Sequence, residues 1–93
     1  MVKHIIFFTL KEDADKDAVI TAAEKALMPL VGKIPGLTKM EVKKCFSGPD
    51  LVLYSELESK EALAGYADHP AHIEAKGHFF PWVASRVAAD YEV

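Results

Sequence analysis

Cysteine occurs once in this chain, at Cys45, so no disulfide can form within it. That usage fits a reducing compartment, and a cytoplasmic protein is expected. No histidine or acid adjoins Cys45 in sequence, so it reads as a small residue near a strand end rather than a nucleophile. Long apolar runs are missing too, which excludes a membrane-spanning helix. Ile5-Ile6-Phe7-Phe8 is too short for a signal peptide, and Lys11-Glu12-Asp13 stands where small residues would be needed. No excess of positive charge exists either: the net charge is -3 and the lysines form no stripe, so neither nucleic acid nor an anionic membrane is an expected partner. There is no repeat, linker, Gly-rich phosphate loop, Ser-His-Asp order or zinc-ligand spacing, so neither a cofactor nor a bound metal is expected.

What the chain does have is the mixture of a globular domain, 51% hydrophobic and 27% charged, and its length fits one domain over 1–93. Residues 2–10 are rich in strand formers, with His4, Ile6, Phe8 and Leu10 on one face and Ile5, Phe7 and Thr9 on the other. Both faces are largely apolar, so both should be covered. Helical spacing of Val19, Ala22, Ala23, Ala26, Leu27 and Leu30 predicts a helix over about 15–31, N-capped by Asp13 or Asp15 and bent or ended early by Pro29. Residues 37–46 predict a lysine-bearing edge strand, with Leu37 on the face of Lys39, Glu41 and Lys43. A short turn at 47–50 leads into an antiparallel strand over 51–57, whose Leu51, Leu53 and Leu57 oppose Val52 and Tyr54.

Ser59 is a good N-cap for a helix over 60–67, carrying Ala62, Leu63 and Tyr66. His69-Pro70 starts a new helical segment bearing Ile73, Ala75, Phe79 and Phe80, and 86–93 is the last strand. Phe79, Phe80 and Trp82 read as one aromatic cluster, in the core or at a pocket wall. The order is β-α-β-β-α-β, a ferredoxin-like α+β fold with a four-stranded antiparallel sheet and its helices on one face. The other sheet face would be bare and apolar, which predicts a homodimer in which two sheets cover each other.

Chemistry rests on the histidines, whose ordinary pKa lies nearest neutrality. If the fold brings His4 and His72 together, they form an acid–base pocket: a neutral imidazole can act as base, and a tyrosine hydroxyl can steady a developing enolate. The plainer alternative is that His4 merely fixes a helix onto the sheet. His69 reads as a capping residue and His78 as a surface or packing residue without a nameable partner.

Lys3-His4-Ile5-Ile6-Phe7-Phe8, Ile34-Pro35-Gly36-Leu37, Tyr54-Ser55-Glu56-Leu57-Glu58-Ser59, Ala64-Gly65-Tyr66 with His69-Pro70-Ala71-His72, and Asp90-Tyr91-Glu92 occur in that order. The set resembles the stress-responsive α/β barrel (Dabb) domain family over nearly the whole chain. The resemblance implies a dimeric α+β barrel. Some relatives are linked to plant stress; others are cyclases that fold linear polyketides into aromatic acids. In the cyclase type, the positions matching His4 and His72 do the acid–base work, and Tyr66 matches a pocket tyrosine. Many relatives have a longer loop where this chain has the turn at 47–50, which bears on the pocket mouth. The expected function is thus a small dimeric protein with a His/Tyr-lined apolar pocket for a small-molecule ligand: either a cofactor-independent cyclase, isomerase or lyase acting on a carbonyl compound, or a non-catalytic stress-related or ligand-binding module. A monooxygenase of the antibiotic-biosynthesis type is a weaker alternative on the same general fold.

Overall fold

The computed structural model describes residues 1–93. Strand β1 (Val2–Leu10) is followed by helix α1 (Lys16–Leu27), strands β2 (Leu37–Lys44) and β3 (Leu51–Leu57), helices α2 (Lys60–Asp68) and α3 (Pro70–Gly77), and strand β4 (Val83–Glu92). The strands form one sheet in the order β2-β3-β1-β4, and every pairing is antiparallel. This is the ferredoxin-like arrangement expected from the sequence, with the second helical region divided in two. No helix is long and apolar enough to cross a membrane.

The period of two in β1 sends Val2, His4, Ile6, Phe8 and Leu10 into the layer between sheet and helices. Leu51, Leu53, Ser55 and Leu57 of β3 join them, and α1 contributes Val19, Ala23 and Leu27 from one stripe. Asp15 caps α1 by accepting from the Ala18 N–H at 3.2 Å. Pro29 cannot donate a backbone hydrogen bond, and the chain tightens into a 3₁₀ turn over Met28–Leu30, so α1 ends before it.

Strand β2 is an edge, but Leu37 is buried with Met40 and Val42 instead of sharing the face of Lys39, Glu41 and Lys43. The cause is a register shift between Leu37 and Lys39, where an irregularity in the ladder breaks the alternation. Ile73 also departs from expectation: it is exposed on the outer side of α3, while Ala75 faces the core.

Gly36 is the one glycine that both its conformation and its surroundings require. Its φ is +83°, and a Cβ there would lie 2.5 Å from the Ala62 Cβ of α2. Gly36→Ala is therefore expected to lose about 1–3 kcal/mol from backbone strain alone. Overlap with α2 adds to that loss, and the thermal midpoint should drop by roughly 4–8 °C for each kcal/mol. An unchanged melting temperature would mean that this crossing has slack.

Candidate functional site

The helices leave part of the sheet uncovered. Along β4, Arg86, Ala88, Asp90 and Glu92 lie on the helix side, opposite Phe8, Ile6, His4 and Val2, yet all four are exposed. Between this open edge and helices α2 and α3 lies a cavity of about 140 Å³. Its sheet side is His4, Ile6, Phe8, Leu53 and Arg86; its helix side is Leu27, Leu63, Tyr66, Ala67, His72 and Lys76, closed at one end by Phe79 and Phe80.

The break between α2 and α3 supplies two of these groups. The residue before a proline is pushed out of the helical region, and His69 is extended at φ -67°, ψ 132°. Pro70 then opens α3, and the His69 imidazole caps it by accepting from the Ala71 N–H at 3.1 Å. His69 thus has the capping role expected of it. Tyr66 comes from the last turn of α2 and His72 from the first turn of α3, so the break sets their rings 4.1 Å apart. His4 reaches the same place from β1, its ring centre 6.3 Å from that of Tyr66. The three residues singled out in the sequence therefore converge on one cavity.

Hydrogen bonding assigns the protons. His4 Nδ1 pairs with the Asp90 carboxylate, and His72 Nδ1 faces the Ala67 carbonyl oxygen at 3.3 Å. Both partners are acceptors, so each Nδ1 carries the proton, which leaves the free lone pair of a neutral His72 on Nε2. Burial holds the His72 pKa below its usual value, partly offset by the Ala67 hydrogen bond; the charges of Lys76, His4 and Arg86 lower it further. His72 is accordingly a neutral base near pH 7. Tyr66 is 2% exposed, and burial pushes its phenol well above the ordinary range, so it remains a proton donor. Its hydroxyl has no hydrogen-bond partner. A buried O–H without a partner is costly, which makes this atom an unmet donor beside two imidazoles.

Asp90 was missed as a site residue, although its place on the last strand was legible. The signal was topological: antiparallel pairing of the first and last strands sets it directly across from His4. Trp82 is a correction. It stands apart from the Phe8, Phe79 and Phe80 rings, 43% exposed in a shallow groove with Asp13, Asp15 and His78. His78 has a neighbour after all, the Glu74 carboxylate at 3.7 Å one helical turn back. The turn at 47–50 does not border the cavity. Asp50 ties it to the end of β1 by accepting from the Leu10 N–H at 2.8 Å, while Gly48 and Pro49 lie beside Phe7 and Thr9 on the opposite sheet face.

Comparison with known proteins agrees with this architecture. A curated relative, a stress-response A/B barrel domain-containing protein of Arabidopsis thaliana, is 27% identical over 100 residues, covering 94% of this chain. The chain spans only 38% of that relative's length. A dimeric ferredoxin-like protein of unknown function from Bacteroides fragilis superposes with a TM-score of 0.91 at 32% identity, over 99% of this chain and 95% of the other. A dimeric ferredoxin-like protein of unknown function from Thermobifida fusca shares the fold with a TM-score of 0.84 at 24% identity, over 99% and 90% of the two chains. The family model for the stress responsive A/B barrel domain matches residues 2–93, and the chain belongs to that family.

Proposed function

We propose that the cavity binds a small carbonyl compound and that His4, Tyr66 and His72 act on it as a cofactor-independent cyclase, isomerase or lyase. The observation that carries this reading is the buried Tyr66 hydroxyl, which has no partner of its own and lies beside the imidazoles of His4 and His72. A ligand carbonyl accepts the Tyr66 hydrogen bond. His72 Nε2 removes a proton from the carbon next to that carbonyl: the C–H bond breaks, an N–H bond forms, and the electron pair moves onto the carbonyl oxygen. The Tyr66 hydroxyl stabilises the enolate so formed. The carbon then attacks a second carbonyl or is reprotonated elsewhere, which gives ring closure or isomerisation. Asp90 orients His4, and the imidazoles return the proton. The working unit is a homodimer built on the open face of the sheet, in keeping with the Bacteroides fragilis relative, and its single free cysteine suits the cytoplasm.

Tyr66→Phe tests the reading because stability and binding should move in opposite directions. Removing a buried hydroxyl that bonds to nothing should leave the melting temperature unchanged or raise it, since an unmet polar group costs about 1–3 kcal/mol. The same change should weaken binding of a carbonyl ligand about tenfold, the value of roughly one hydrogen bond. Calorimetry on acetylacetone and related diketones, beside thermal melts, reads both. A variant that loses stability and keeps its affinity would make Tyr66 a packing residue. Binding without turnover in the parent would remove the catalytic half of the reading.

A further inference from the structure

We infer that the pocket selects a ligand bearing a carboxylate, which Lys76 and Arg86 hold at the aromatic end while the ligand's oxygen-bearing end reaches Tyr66. This rests on the ligand pocket proposed above and names its substrate class.

Arg86 and Lys76 both line the cavity, from β4 and α3. Arg86 is the cross-strand neighbour of Phe8. The Lys76 ammonium lies 5.2 Å from the centre of the Phe80 ring, which is itself 6.2 Å from that of Phe8. The two cations therefore flank the same aromatic end of the pocket. Neither makes an ion pair or a side-chain hydrogen bond, although acids outnumber bases in the chain by 14 to 11.

The nearby acids are committed elsewhere. Asp90 pairs with His4, Glu92 lies 3.7 Å from Lys60, and Glu74 faces His78. Two unpaired cations at one end of an apolar cavity concentrate positive potential where water is partly excluded. A planar carboxylate suits them, because the Arg86 guanidinium can meet both of its oxygens. The enclosed volume, about 140 Å³, is close to that of a cavity known to take up one benzene ring. The ligand is thus ring-sized, with its anion at the Lys76 and Arg86 end and an oxygen at the Tyr66 end.

The test compares 4-hydroxybenzoate with 4-hydroxybenzamide, which share shape and differ in charge. Imidazole NMR signals of His4 and His72 report occupancy, and titration gives the dissociation constants. The benzoate should bind at least tenfold more tightly than the amide, and its advantage should shrink as salt is raised. Arg86→Gln and Lys76→Met should each reduce the preference, and the double variant should abolish it. Equal affinities in the parent, or a preference that survives the double variant, overturns the carboxylate assignment while leaving a pocket that binds. If neither compound shifts His4 or His72, the pocket reading fails and takes this inference with it.

Discussion

Phe8→Ala is expected to lower stability by about 3–5 kcal/mol, the range for removing a large aromatic side chain from a well-packed core. Phe8 is 2% exposed on one of the two inner strands, and its ring meets Phe79 and Phe80 edge-on, with centres 5.7 and 6.2 Å away. Such edge-to-face pairs contribute beyond buried area. Because a domain of this kind is stable by only about 5–15 kcal/mol in total, one truncation would remove a large part of the margin. The denaturation midpoint should fall with little change in slope. Phe8→Leu keeps most of the volume and should cost far less, so it reports on ligand binding if the alanine variant does not fold. A loss under about 1 kcal/mol for Phe8→Ala would mean that the aromatic end collapses freely and is no rigid wall for the pocket.

That aromatic end shows what could be read from the sequence and what could not. A regular strand alternates with a period of two, so the shared face of His4, Ile6 and Phe8 followed directly from the order of residues. Proline chemistry is equally local. Pro70 forces the break between α2 and α3, and the nearness of Tyr66 and His72 is a consequence of it. Leu37 lay beyond such reasoning because an irregularity in the ladder, where β2 advances two residues against one of β3, reversed its side. Trp82 was assigned to the phenylalanines by nearness in sequence, but the 3₁₀ turn over Phe80–Trp82 turns it toward α1. The unpaired state of Lys76 and Arg86 was out of reach for a different reason. Whether a cation has a partner depends on where all the acids end up, which is a property of the tertiary structure.

The site and the open sheet face are linked through the same strands. The residues of β1 that do not face the cavity, Ile5 and Phe7, lie on the opposite side with Val52, Tyr54, Val87, Ala89 and Tyr91. Phe7 is 42% exposed and Val87 69%, at the centre of a surface more apolar than a lone domain usually presents to water. The border carries both signs of charge, with Lys3, Lys39 and Lys43 near Glu41 and Glu56, so the surface is suited to meet a copy of itself about a two-fold axis.

On that proposal, Phe7→Glu places a carboxylate among apolar side chains, opposite Val52 and Val87. An unpaired charge buried in an interface costs about 3–5 kcal/mol. The two-fold axis makes each substitution occur twice, so the dissociation constant should rise by at least about a thousandfold. Sedimentation at micromolar concentration should then change from twice the chain mass to once. Lys25→Glu, on the exposed side of α1, should leave the mass unchanged. A parent protein that is already a monomer would refute the dimer outright. A Phe7→Glu variant that remains a dimer would place the interface elsewhere, with β4 as the next surface to test, since its other side lines the pocket.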